Sequence, residues 1–216
     1  MKKILFYGVG LLLLSCSKET SEQNDIVTFK EVSKEVNSLL EEQNLFLNTK
    51  KEENKDLSKS EDILSPKLKE KLPVSNLKEV NEIVMNSQNI DFRSIEKQIE
   101  VKSVSEYTKK TFKEVINLYT SSFFLQNYSI IEELKEDKYI SELPLDEQRM
   151  LYELFSICDV VKGLNQNSIT SKCIIDGSSV LKSFLMGALT SGVRTGVVAA
   201  IVDIGFQGIS CEINNK

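Results

Sequence analysis

The chain has 216 residues, 41% hydrophobic and 27% charged, with a formal net charge of −5 and no histidine or tryptophan. That length suffices for one or at most two folded domains, and the composition is ordinary for a globular protein, which argues against wholesale disorder and against a multi-span membrane protein. Only three arginines occur (Arg93, Arg149, Arg194), and an acidic chain of this kind offers no electrostatic footprint for nucleic acid.

Residues 1–15 read as an export signal. Met1-Lys2-Lys3 supplies the charged start, and the run from Ile4 to Leu14 is apolar but for two glycines. It is too short to span a bilayer. The sequence Leu13-Leu14-Ser15-Cys16 then resembles the lipobox of bacterial lipoproteins, in which an apolar and a small residue precede the cysteine. That resemblance implies a diacylglycerol on the Cys16 sulfur, cleavage just before it, and acylation of the new amino terminus. Several buried acyl chains hold a protein firmly on a membrane. The alternative is an ordinary secretory signal followed by a chance cysteine. Residues 16–25 form a lipidated tether, since Ser17 to Asp25 is polar throughout and reaches about 30 Å if extended. Lys18-Glu19 resembles the surface-export signals of lipoproteins from the Bacteroidetes, without their usual run of acids. The Asp that resembles the inner-membrane retention signal of enteric bacteria is absent after Cys16, so the expected destination is the outer membrane.

The mature chain reads as all-α. Over residues 26–62, Thr28-Phe29-Lys30-Glu31 has the spacing of a capping box. Phe29, Val32, Val36, Leu39, Leu40 and Leu47 follow at helical intervals, which predicts an amphipathic helix in need of a partner. Asn48 to Asp62 is nearly devoid of apolar residues and reads as a mobile linker.

Residues 63–216 read as an irregular helical bundle. Pro66 and Pro73 punctuate short helices over Lys67–Leu72 and Asn76–Asn86, the second capped by Ser75. Asp91 caps a helix through Glu100, and Ser103-Val104-Ser105-Glu106 reads as a second capping box opening a helix from Val104 to about Ser122. After Pro144, Asp146 and Glu147 suit the positive end of another helix dipole. Leu151, Leu154, Phe155, Cys158 and Val161 form its apolar stripe, and Gly163 is placed to end it. Lys172 to Asp176 suits one short extended piece.

The segment 178–206 differs from the rest. Ala188, Gly192, Gly196 and Ala200 recur every four residues, a spacing that puts small side chains on one helix face and lets another helix approach closely. Phe184, Leu185, Leu189, Val193, Val197, Val198, Ile201 and Val202 cover most of the rest, so the segment belongs inside a protein or in lipid. Three readings follow: the core helix of the body, a segment that inserts in a membrane or in like copies, and a true membrane span. Arg194 and Asp203 weigh against the span, at roughly 2.5 to 3.5 kcal/mol per charge at a helix centre. Inside a protein, Arg194 needs a carboxylate or carbonyl partner or an outlet at the edge of the body.

Beyond Cys16 the chain has Cys158, Cys173 and Cys211. Cys158 reads as a buried free thiol. A single helix of about 30 residues would hold Cys173 and Cys211 roughly 45 Å apart, so a bridge between them requires a helical hairpin hinged at Gly192 or Gly196. The bridged hairpin is the expectation, with one long helix as the alternative.

Without histidine, Ser-His-Asp catalysis and His-ligated metal sites are excluded. The glycines do not form a phosphate-cradling loop, which argues against nucleotide binding. Carboxylate pairs such as Glu132-Glu133 and Glu52-Glu53 lie among lysines and read as solvated faces. The expectation is therefore a non-enzymatic, lipid-anchored helical lipoprotein with no metal or cofactor, serving as an interaction or structural module for an unknown protein partner. The alternative is a membrane-active or self-assembling protein that uses its Gly-rich segment.

Overall fold

A computed structural model describes residues 27–53, 63–121, 125–167 and 174–214. Nine α-helices occur among them and no strand: α1 Phe29–Glu52, α2 Pro66–Glu70, α3 Val74–Asn86, α4 Phe92–Val101, α5 Glu106–Thr120, α6 Ser129–Lys135, α7 Leu145–Asn167, α8 Gly177–Thr190 and α9 Val193–Asn214. Two 3₁₀ turns, Ser87–Asn89 and Lys138–Glu142, join α3 to α4 and α6 to α7. The expected all-α class holds. The residues expected in an extended piece fall partly outside the described ones, and Ile174 to Asp176 have no regular structure.

The centre of the body is the antiparallel pair α8 and α9. The first also packs on α3, α4, α5 and α7, the second on α1, α3 and α7. The single long helix is thus excluded. The break falls at Ser191-Gly192, where Gly192 takes a φ of +99°, a left-handed conformation that a residue without Cβ adopts at little cost. Neighbouring helices clamp this turn. Glu79 of α3 accepts from the hydroxyls of Thr190 (2.8 Å) and Ser191, Lys102 donates to the Leu189 carbonyl at 2.8 Å, and Asn76 bonds Thr195 at 3.0 Å.

Local signals placed the starts of α1 and of α4, whose cap is Asp91 as expected. The Thr28 box forms as expected, with the Glu31 amide bonded to Thr28 Oγ1 at 3.3 Å and the Thr28 amide to the Glu31 carboxylate at 3.3 Å. The stripe Val32, Val36, Leu39, Leu40 and Leu47 is buried, and its partners are α7 and α9. Gln43 is buried among them because it is fully engaged: it donates to the Ile63 carbonyl (2.7 Å) and accepts from the Ser65 amide (2.9 Å). Residues 54–62 of the expected linker lie outside the described residues, and its first part, through Glu52, is helix.

Other boundaries depart from expectation. α3 begins at Val74 behind Pro73, so Ser75 sits within it and is not its cap. The helix expected from Val104 begins at Glu106, with Ser105 as its cap. The carboxylate that reaches this cap comes from α7: Glu147 accepts from the Ser105 amide at 3.1 Å. α7 does not end at Gly163 but continues to Asn167. Gly163 faces open space, and beyond it Asn165 donates to the Ile175 carbonyl (3.0 Å) and accepts from the Ile175 amide (2.8 Å), which ties the extra turn down.

Candidate functional site

The small residues expected on one face of one helix are divided by the hairpin, and they meet across it. A Cβ on Gly196 would lie 2.5 Å from the Phe184 carbonyl oxygen and 2.9 Å from the Ala188 amide nitrogen. Gly187, on the opposite helix, would clash in the same way with the Gly196 backbone. Ala188 and Ala200 are buried. Gly192 contributes only its conformation, for nothing lies within 4 Å of its missing side chain. The helices thus approach backbone to backbone, and the stripe is occupied within the chain.

Of the cysteines, Cys16 and Cys173 lie outside the described residues. Cys158 is free and buried, and Cys211 is disulfide-bonded, which leaves Cys16 or Cys173 as its partner. Burial pushes the Cys158 thiol up to about 12, with Tyr119 beside it. A thiol held neutral in this way is a packing group and not a nucleophile.

Three buried polar clusters stand out. Asp203 of α9 sits in a cage of hydroxyls: Ser179 and Ser183 of α8 donate to its Oδ2 at 2.9 and 2.8 Å, and Ser87 of the 3₁₀ turn at 3.4 Å. Gln207 donates to Oδ1 at 3.0 Å. Every hydroxyl is sealed from solvent, so the serine–carboxylate contact is closed to any substrate and works as a clamp. Glu147 forms the second cluster, accepting from Ser105 Oγ (2.6 Å) and Thr108 Oγ1 as well as from the Ser105 amide. Burial opposes its ionisation, but these donors bring its carboxyl below the usual range.

The third cluster joins α1, α7 and the end of α2. Arg149 donates to Glu35 at 2.6 Å and to Glu153 at 2.8 Å, and Lys71 bonds Glu35 at 3.1 Å. Burial works against Glu35, yet Lys71 and Arg149 hold its carboxyl below the ordinary value. Glu153 is far more buried, and burial pushes it up against the pull of Arg149. Its Oε2 has no hydrogen-bond partner. Arg194, which the sequence required to find a partner or an outlet, is exposed on the first turn of α9 at the edge of this cluster.

None of these clusters sets a nucleophile beside a base in an open cavity. Among the described residues no group of three or more Cys, Asp or Glu is gathered so as to hold a metal ion. Apart from these clusters, an open cleft of about 560 Å³ lies between α5 and α6, lined by Glu114, Asn117, Leu118, Ser121, Asn127, Ile130, Glu133, Leu134 and Asp137. Sequence reasoning passed over this cleft, since Glu114 and Glu133 lie on two different helices, α5 and α6, and each reads alone as a solvated acid. No protein-family model, curated protein or solved structure matches the chain.

Proposed function

We propose that this protein is a lipid-anchored, non-enzymatic helical lipoprotein of the bacterial cell envelope, held on the outer membrane through Cys16, and that its body is an interaction or structural module. The observation that carries the reading is Ser15-Cys16 at the end of an apolar run, followed by a polar stretch that leads to the capped start of α1. The body fits such a role: the Asp203 and Glu147 clusters are closed clamps, and the open cleft between α5 and α6 presents acids and amides to solvent.

The membrane-active alternative draws on one feature. Val193–Cys211 is long and apolar enough to cross a membrane, although 67% of it is buried within the body. Its small-residue face is already filled by α8, which favours the core-helix reading.

The deciding experiment follows labelled palmitate into the wild-type chain and into Cys16→Ala. Incorporation that disappears in the variant, together with its release from the membrane fraction, supports the anchor. Label retained in Cys16→Ala overturns it. Leakage of a dye from liposomes by the purified chain would move the function to the membrane-active alternative.

A further inference from the structure

The cleft between α5 and α6 has an apolar floor and an acidic rim. Leu118 is buried in the floor, and beside it the aliphatic side chain of Ile130 on α6 remains 40% exposed. Three carboxylates stand around it: Glu133, Glu114, which pairs with the exposed Lys110 at 3.6 Å, and Asp137, which caps the following 3₁₀ turn; among the described residues no lysine or arginine lines it.

The contrast between two adjacent residues of α6 shows how one-sided this charge is. Glu132 faces away from the cleft into a lysine cluster, bonded to Lys135 at 2.8 Å and Lys162 at 3.4 Å. Among the described residues Glu133 has neither an ion pair nor a side-chain hydrogen bond. Lys135 and Lys162 are thus engaged on its other face, Lys135 also binding Asp159 at 2.7 Å. Around the rim, the side-chain amides of Asn117 and Asn127 are likewise unengaged, and each can both donate and accept, which suits a peptide backbone.

We propose that this cleft docks a peptide segment of a partner protein that carries lysine or arginine beside aliphatic side chains. The inference rests on the interaction-module reading and gives that module a partner chemistry. Charge complementarity selects the occupant: an aliphatic side chain covers the exposed part of Ile130, while a cation meets Glu133, the rim carboxylate without a partner among the described residues, with Glu114 and Asp137 beside it. The volume suits two or three side chains of a peptide and falls within the size of known ligand clefts, about 300 to 1,000 Å³.

The test uses the full chain in zwitterionic nanodiscs, with empty nanodiscs as the blank. The probes are a Lys/Leu peptide bearing a photo-crosslinker, its Glu/Leu counterpart and a Lys/Ser counterpart. The expected result is saturable binding of the Lys/Leu peptide alone, with crosslinks on residues 114–137. Affinity should fall about tenfold in Glu133→Lys and again at high salt, and remain unchanged in Glu70→Lys, the same charge change on α2. Ile130→Ser should weaken binding without shifting the melting temperature. Absence of saturable binding, equal affinity in Glu133→Lys, or crosslinks elsewhere would overturn the proposal. The chain between the two walls carries Phe123 and Phe124. Binding that tightens in Phe123→Ser/Phe124→Ser would name the chain's own segment as the occupant, and would also overturn it. Peptide binding by a chain that proves unlipidated removes the anchor and leaves the cleft. A lipidated chain that binds no peptide does the reverse.

Discussion

Gly187 and Gly196 face each other across the central hairpin so closely that a Cβ on Gly187 would lie 2.7 Å from both the Cα and the amide nitrogen of Gly196. Contact of this kind leaves no room for relaxation, because both sides are backbone. Gly196→Leu should therefore destabilise the body by at least about 1 to 3 kcal/mol. Gly192→Leu should also cost stability, for a different reason: its left-handed backbone disfavours any Cβ by about 1 to 2 kcal/mol. Gly192→Asn should be milder, since asparagine tolerates that conformation. Urea unfolding of the three variants checks the order, and equal losses for Leu and Asn at position 192 would point to a packing contact there.

Glu147 makes stability depend on acid. Its folded carboxyl titrates below the unfolded one, which lies near about 4.3, so its contribution is complete above that value and is lost as pH falls through the lower folded value. Glu147→Ala leaves the Ser105 amide and two hydroxyls without an acceptor, a loss of about 1 to 3 kcal/mol at neutral pH. The gap between wild type and variant should narrow as pH falls below about 4.3, as followed by denaturant unfolding across pH 3 to 7. A gap that stays constant with pH would mean that charge plays no part in the clamp.

Glu153 behaves in the opposite sense. Its folded carboxyl is raised, so it favours the folded state most at low pH, and stability declines as pH rises from the unfolded value through the folded one. Arg149 limits that decline. Arg149→Met should cost about 3 to 5 kcal/mol at pH 7, because it leaves a buried carboxylate unpaired. The loss should shrink in acid, and Arg149→Met/Glu153→Leu should recover much of it. If the double variant is as unstable as the single one, the strain lies in packing and not in charge.

These clusters explain which parts of the molecule could be read from the sequence. The start of α1 was legible because Thr28 and Glu31 complete their box within one turn. The start of α5 was misplaced because Ser103 and Ser105 both suit a cap, and the residue that chooses between them, Glu147, lies on another helix. Gly163 failed as a stop for the same reason, since Asn165 is held by Ile175 beyond the next segment. The hairpin was one of two readings the sequence left open, the one a Cys173–Cys211 bridge would require, while the Asp203 cage was not legible, because Ser87 lies far from Asp203 in the chain.

The thiols offer a test that joins the fold to the anchor. Cys158 should resist alkylation in the native protein near pH 8 and react only on unfolding, as its raised titration and burial require. Non-reducing peptide mapping should find Cys211 joined to Cys173. A Cys16–Cys211 link would contradict lipidation, since one sulfur cannot hold both a thioether and a disulfide. Loss of the bridge in Cys211→Ser should lower stability by about 2 to 4 kcal/mol.

The Asp203 cage bears on which solvent α9 accepts. Hydrocarbon would welcome the leucines, valines and isoleucines of this helix as readily as the body does, so apolarity alone gives it no preference between the two. Three serines and a glutamine wait for the carboxylate inside the body, and lipid offers nothing in their place. A single acidic side chain, of a type that costs about 2.5 to 3.5 kcal/mol at the centre of a bilayer, therefore acts as a routing instruction: it favours the protein interior over lipid for an otherwise oil-soluble helix.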